Sequence, residues 1–328
     1  MNLLHIREDK RPPSNDHPLV SIGMPIFNAE NYLRNALDGI LSQTFSNFEL
    51  IISDNASTDA TEAICREYAN KDSRIKYYRN ETNLGASKNF NRVFELSQGK
   101  YFKWASHDDV CAPEYIEQCL DVLEREPYIV LCYPKANTID EEGKITGTYT
   151  ENLNIRSSKP HERLHQLLET YGWYHATQAF GLMRTSALKM TLLIGNYPHA
   201  DRVLLAELAL LGEFYEVPEY LFYRRVHPQI SQRANPTDAS FAVWFDPKNK
   251  GKIILPRWRR YFEYCRAVGR TRLSWYEQIR CYLEIMRRLL LSPGMLRRFT
   301  GIVEDFMKAT ILLVRGLLGR RQEQRKVI

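Results

Sequence analysis

The sequence predicts an α/β fold: a mostly parallel sheet with helices on both faces, followed by a helical C-terminal extension. Short apolar runs rich in β-branched residues alternate with segments of helical periodicity as far as Ala105. Each run stops at a polar, turn-forming cluster, as at Asn28 and at Asp54-Asn-Ala-Ser-Thr-Asp59. Beyond Pro256 the pattern turns wholly helical, with arginines filling the faces between apolar positions.

The elements follow in order. Residues 1–17 read as a flexible arm. Leu19 to Phe27 is a buried strand by length and branching. Asn31 to Gln43 is a helix, since Tyr32, Leu33, Ala36, Leu37, Ile40 and Leu41 share a face. Phe48 to Ser53 is a second strand, and the residues after it are rich in N-cap types. Thr61 to Ala69 is helical, Ile75 to Arg79 a third strand, Lys88 to Ser97 a helix and Tyr101 to Ala105 a fourth strand. A helix over Glu114–Glu124 precedes a strand over Ile129–Tyr133. Residues 140–160 read as an irregular loop, with helices after it near Glu162–Thr170 and Ala200–Leu211. In the C-terminal extension Trp258, Tyr261, Phe262, Cys265 and Val268 form one apolar stripe, and Ile279, Tyr282, Leu283, Met286, Leu289 and Leu290 form another. The expected division is an arm over 1–17, a catalytic domain over 18–230 and a basic helical region over 231–328.

Composition narrows the class. With 328 residues, 44% hydrophobic and 26% charged, the chain is ordinary globular material and can bury a full core. Its six cysteines contain no C-x2-C pair, which argues against a disulfide scaffold or structural zinc and for a reducing compartment. The N-terminus lacks the apolar stretch of a secretory signal, and no run reaches the 18 apolar residues of a membrane span. The net charge of +6 is unevenly spread. From Gly251 onward stand 18 Lys+Arg and 6 Asp+Glu, a net of +12, against −6 for the rest. A basic tail on an acidic body suits an anionic partner. Met307 to Lys326, apolar and basic together, suits peripheral contact with anionic lipid. No nucleic-acid docking motif accompanies it, so no nucleic acid is expected.

In open α/β sheets ligands sit at the carboxyl ends of the strands. Asn28, Asp54 and Ser106-His-Asp-Asp109 should therefore meet at one edge. Adjacent carboxylates such as Asp108 and Asp109 at a strand end call for a cation, and a divalent ion carrying a diphosphate would supply it. Two solvated acids on a turn are the plainer alternative. Asp54 either caps the next turn or accepts from a nucleoside N–H or O–H. Asn83-Leu-Gly85 and Lys88-Asn89 form a turn into a helix, where Gly85 suits a positive φ.

Together, Val20 to Asn28, Asp54 to Asp59, Asn83 to Asn89 and Gly99 to Asp109 resemble, in order and spacing, the family 2 glycosyltransferases of the GT-A fold. The resemblance covers roughly residues 18–228 and implies an inverting transfer from a nucleotide-diphospho-sugar, UDP- or dTDP-linked. It implies that Pro25, Asn28 and Glu30 line the nucleotide pocket, that Asp54 holds the base, and that Asn83, Gly85, Lys88 and His107 lie along the donor. Asp108 matches the metal-ligating acid of the family's D-x-D element, for Mg2+ or Mn2+; Ser106 stands where the first acid would be. Ala176 to Ser186 resembles the acceptor-side strand, and Asp201, opening a helix after Asn196-Tyr-Pro-His-Ala, the catalytic base. Tyr223 to Ser231 resembles the closing Arg/His segment, with His227 toward the metal or the diphosphate and Arg224 or Arg225 toward phosphate. Trp173, Tyr174 and His175 stack on a sugar or belong to the core. The resemblance further implies a glycan or lipid-linked acceptor, envelope, capsule or exopolysaccharide synthesis, and a place in the cytoplasm at the inner face of its membrane. The alternative is a degenerate domain that binds nucleotide or glycan as a scaffold. A nucleotidyltransferase would open with a Gly-rich basic phosphate loop, and Pro25-Ile-Phe-Asn28 is not one.

Overall fold

The computed structural model describes residues 17–149, 153–170 and 177–290, with Val303, Phe306, Met307 and Thr310. The expectations for the N-terminal arm, for Trp173, Tyr174 and His175, and for most of Met307–Lys326 lie outside the described residues.

The first half follows the alternation: β1 (Val20–Ile26), α1 (Leu33–Leu41), β2 (Phe48–Asp54), α2 (Thr61–Lys71), β3 (Ile75–Arg79), α3 (Ala86–Glu95) and β4 (Tyr101–Trp104). After it come β5 (Val110–Cys111), α4 (Tyr115–Arg125), β6 (Ile129–Ile139), β7 (Ile145–Thr148) and α5 (Pro160–Thr170). A 3-10 turn over Thr177–Phe180 then leads into β8 (Leu182–Arg184), α6 (Thr185–Leu188), α7 (Ala200–Leu211) and β9 (Glu213–Arg225). The chain ends in α8 (Ser231–Ala234), α9 (Asp238–Phe245), α10 (Pro256–Arg270) and α11 (Trp275–Leu290).

The strands lie in the order β3-β2-β1-β4-β8-β6-β9-β5, with β7 against β6. β1 through β4 are mutually parallel, β8 runs against both β4 and β6, and β9 is parallel to β6. One reversed strand thus restores the original direction, so the carboxyl ends of β1, β2, β4, β6 and β9 share an edge. The sheet is mostly parallel, as expected, with antiparallel pairings at β5, β7 and β8, and β5, β7 and β9 are additions to the expected elements. The span 140–160 holds the β6–β7 hairpin and ends at the first turn of α5, and the acceptor-side strand shrinks to three residues between a 3-10 turn and α6.

Alternate residues of each strand feed different cores, the period-2 rule at work. Ile51, Phe102, Trp104 and Met183 join α3, α5 and α7 on one face. Ile22, Leu50, Ile52 and Tyr101 join α1, α2 and α4 on the other. Each fully buried aliphatic side chain contributes about 1.5–3 kcal/mol. The first of these cores continues without a break into the C-terminal helices through Tyr261, Tyr264, Ala267, Val268, Cys281 and Ile285. α10 packs on α7, and α11 on α5 and α10.

The C-terminal stripes are rotated from the expected ones. In α10 Tyr261 and Val268 face inward, while Trp258 and Phe262 are exposed. In α11 it is Cys281 and Ile285 that are buried, and Ile279, Leu283, Met286 and Leu290 face out. The buried face is the one that meets α5 and α10, and which of two apolar stripes that is depends on those neighbours and not on the helical period. Among the described residues no helix is long and apolar enough to cross a membrane.

Candidate active site

The carboxyl edge is stitched by hydrogen bonds between loops. After β1, Asn28 takes a left-handed φ of 48°, tolerated by Asn because its short amide can bond locally. Its backbone N–H donates to Ser57 Oγ at 2.9 Å, and its Oδ1 accepts from the Thr58 N–H at 2.9 Å. Glu30 Oε2 accepts from the Ala60 N–H at 2.9 Å. Pro25 is buried within β1 in register with Ser53. These side chains tie the loop after β1 to the one after β2.

Asp54 closes β2 with 0% exposure. Its Oδ1 accepts from the Ser57 N–H at 2.9 Å, and its Oδ2 from Tyr77 Oη at 2.8 Å and Arg79 Nη1 at 2.6 Å. The capping role is present, and three of a carboxylate's roughly four lone-pair directions are filled by these donors. Tyr77 and Arg79 reach it because β3 is parallel to β2 with Arg79 opposite Asp54, and residues two apart share a face.

Behind this lies an amide network. Asn55 Nδ2 donates to Asn83 Oδ1 at 2.8 Å, and Asn83 Oδ1 also accepts from the Gly85 N–H at 2.9 Å. Asn89 Oδ1 accepts from Ser53 Oγ at 2.7 Å and Asn80 Nδ2 at 3.1 Å. Gly85 has φ 83° and ψ 158°, a region essentially reserved for glycine. A Cβ there would stand 2.6 Å from Pro247 Cδ and 2.7 Å from the Phe245 carbonyl, so the loop before α3 is clamped under the end of α9. Lys88, one turn into α3, is exposed on the side of Asp246.

The acidic cluster follows β4. Asp108 is held from two sides: Ser106 Oγ donates to Oδ1, and His227 Nε2 lies 3.0 Å from Oδ2. Burial alone would raise the Asp108 pKa, but the nearby His107, the His227 contact and the Ser106 hydroxyl outweigh it and hold the carboxyl well below its ordinary range. Asp109 moves the other way, raised by burial and by the Asp108 charge beside it. Its Oδ1 accepts from the Arg225 N–H at 2.9 Å.

Arg225, at the end of β9 and expected with Arg224 toward phosphate, instead organises backbone, a role the sequence did not reveal. Its Nε donates to the Asp108 carbonyl at 3.0 Å, and its Nη1 to the carbonyls of Asp140 and Glu141, each at 2.8 Å. Its guanidinium also lies 4.7 Å from the Tyr32 ring centroid, and that ring stands 4.8 Å from His227. The neighbouring Arg224, expected toward phosphate, donates to Tyr149 Oη at 2.8 Å and lies within electrostatic reach of both acids. Beneath the cluster, buried Lys103 donates to the carbonyls of Trp104 and Phe180 and sits 4.4 Å from the Tyr115 ring centroid.

Asp201 lies in the first turn of α7, outside this bonded group. The turn at Gly212 joins α7 directly to β9, which sets the helix back along β6 with its N-terminus toward the carboxyl edge. Burial drives the Asp201 pKa up, against Arg202, the backbone N–H groups of the first turn and Arg260. His199 before it has φ 63°, and burial, helped by Arg202, Arg260 and Arg257, pushes its pKa down to about 3.

Asp108 and His227 present a carboxylate oxygen and an imidazole nitrogen side by side, with no cluster of three or more ligating side chains among the described residues. That sparse set fits Mg2+ or Mn2+, which keep water and phosphate oxygens and take one or two protein carboxylates.

The model for "Glycosyl transferase family 2" matches residues 21–191. A glycosyltransferase from Haemophilus influenzae, itself uncharacterized, is 30% identical over 215 residues, 64% of this chain and 66% of its own. The chain spans about two thirds of that relative but only about a fifth of a glycosyltransferase from Rickettsia bellii and about a third of one from Rickettsia prowazekii. Among solved structures, S. aureus TarS 1-349 in complex with UDP-GlcNAc superposes with a TM-score of 0.62 over 87% of this chain and 79% of that one, at 15% identity. A mannosyltransferase from Pyrobaculum calidifontis, in complex with GDP-Man and Mn2+, gives 0.50 over 90% and 86%, at 14% identity. These likenesses place the fold among GT-A-type transferases. With the motifs at one sheet edge and the family match spanning 171 of its 328 residues, the chain belongs to glycosyl transferase family 2.

Proposed function

We propose that the protein transfers a sugar from a nucleotide-diphospho-sugar, UDP- or dTDP-linked, to an acceptor hydroxyl with inversion. The observation that carries this is Asp108, held at the carboxyl end of β4 between Ser106 and His227, on the edge where Asp54 closes β2. The UDP-GlcNAc complex of a protein with this fold supports a nucleotide-sugar donor.

In this reading the nucleoside lies over the β1 and β2 loops, with Pro25, Asn28 and Glu30 shaping the pocket and the free lone pair of Asp54, or its partner Arg79, meeting the base. Asn83, Gly85 and Lys88 border the donor, and Arg224 and His107 add positive charge on the diphosphate side. Asp108 and His227 would hold Mg2+ or Mn2+, which neutralises the departing diphosphate. Asp201 takes the proton of the acceptor hydroxyl as that oxygen bonds to the anomeric carbon. The bond from that carbon to the diphosphate oxygen breaks, the nucleoside diphosphate leaves, and the centre inverts. A carboxylate with a raised pKa is a stronger base than an ordinary Asp, which suits the role. The acceptor is a glycan or a lipid-linked glycan of envelope, capsule or exopolysaccharide synthesis, met in the cytoplasm at the inner face of the membrane.

Calorimetry with UDP, dTDP, GDP and CMP, each with and without Mn2+, tests the reading. Metal-dependent binding of UDP or dTDP, lost in Asp108→Ala, is expected. A folded protein that binds none of the four overturns it.

A further inference from the structure

Helix α11 is apolar on two faces. One, through Cys281 and Ile285, is buried toward α5. The other consists of Trp275, Tyr276, Ile279, Leu283, Met286 and Leu290, each between 39% and 74% exposed. At about 100° per residue these six fall within an arc of roughly 100°. A helix whose outer face meets only water carries polar residues there. Single exposed apolar side chains are ordinary, but an unbroken stripe along a whole helix marks a contact surface.

Charge says which contact. Arg280 and Arg287 border the arc on one side, and Arg272 stands just before the helix. Arg280 is folded onto the stripe, its guanidinium 5.3 Å from the Tyr276 ring centroid and its Nη1 donating to Tyr276 Oη at 3.1 Å. The three acids between residues 251 and 290 are all engaged: Glu263 with Arg259 and Arg266, Glu277 with His161, and Glu284 with His165 and Arg287. A second copy docked antiparallel here by a two-fold axis would set positive border against positive border. Phe306, from farther along the chain, meets Trp258 of α10 at 5.3 Å.

We infer that this face of α11 seats the protein on an anionic lipid surface, with the six apolar side chains in the interface and the arginines at the headgroups. The 16-residue helix, about 24 Å long at 1.5 Å per residue, lies along the surface and does not span it. Trp275 and Tyr276 at its start suit the boundary between headgroup and acyl chain. Through α10, which packs on α7, the same face connects to the helix that carries Asp201.

The inference stands apart from the transfer reaction, because its test needs neither donor nor acceptor. The full chain is floated with vesicles of phosphatidylcholine alone or with about one third phosphatidylglycerol, at low and high salt. Flotation with the anionic vesicles, weakened by salt, is expected. Ile279→Ser with Leu283→Ser should cut the floated fraction at least tenfold while leaving the unfolding midpoint and nucleotide binding in place, since both side chains face outward. Arg280→Glu with Arg287→Glu should abolish the preference for anionic vesicles. A serine variant that floats like the parent overturns the assignment, as does a parent that stays off both vesicles; a dimer broken by the serine pair in sedimentation would then make the stripe a self-association face.

Discussion

Removing the Arg225 guanidinium should lower stability and weaken nucleotide binding together. Arg225→Met keeps an aliphatic stem of similar length and deletes donors to three carbonyls, those of Asp108, Asp140 and Glu141. A hydrogen bond from a charged group contributes about 1.5–3 kcal/mol. The Asp140 and Glu141 carbonyls belong to the hairpin turn after β6, where water can replace the lost donor, so their loss counts only in part. The Asp108 carbonyl is less accessible and carries its full share, and loss of the cation–π contact adds about 0.5–1 kcal/mol. The sum is about 2–4 kcal/mol, read from urea unfolding with the slope held constant. Because Asp108 loses its backbone anchor, nucleotide binding with Mn2+ should weaken at least about tenfold, or 1.4 kcal/mol. Arg225→Lys should recover the charge but not the fork that reaches two elements at once, and so fall between. If Arg225→Met unfolds within about 0.5 kcal/mol of the parent and binds nucleotide as well, the anchoring argument is wrong.

Other outcomes follow from the same geometry. Asp201→Asn should lose about 100-fold or more in turnover yet bind nucleotide normally, as measured by product formation beside calorimetry; near-parental turnover sinks the base assignment. The raised pKa of Asp201 means that the base form appears only above the usual carboxylate range, so turnover should climb with pH on a limb displaced upward, and the limb should vanish in the Asn variant. Asp108→Ala should remove the Mn2+ dependence of donor binding, and unchanged dependence in a titration with and without the metal refutes its ligand role. Gly85→Ala combines a glycine-only backbone with collision against Phe245 and Pro247, and should cost about 3 kcal/mol or more by thermal or urea unfolding.

Much of the first half was legible because there the physics is local. Buried parallel strands are continuous apolar runs, and β1 to β4 fall within a residue or two of their expected bounds. β9 escaped because Glu213-Phe-Tyr-Glu-Val-Pro-Glu-Tyr mixes acids and a proline into a strand held mainly by its pairing with β6. β8, with three residues, carries too little pattern of its own and is reached only through the resemblance over Ala176–Ser186. The polar clusters do meet at one edge, as the alternation predicted, but their partners depend on register. That Arg79 lies opposite Asp54, or that the Arg225 guanidinium ties the Asp108 carbonyl to the β6–β7 turn while Arg224 supplies charge near the acids, depends on pairings between segments far apart in the chain. Alternation along β9 required the two arginines to face opposite ways, and that signal was available unused. In α11 the helical period was right and the buried face wrong, because two apolar stripes of one helix look alike until a neighbour selects one.

The core shared between the sheet and the last two helices has a consequence for biosynthesis. Ile51 and Trp104 belong to the same buried cluster as Val268 and Ile285, so the nascent chain cannot close that side of the sheet when β9 leaves the ribosome. Some 65 residues remain to be made between Arg225 and Leu290, about 3–13 s at ordinary elongation rates. During that interval the flanks of α5 and α7 stand bare, a ready target for holding chaperones and for aggregation. Expression yield should therefore respond to slow codons or lowered chaperone supply in the stretch encoding 226–290 more than anywhere earlier in the message.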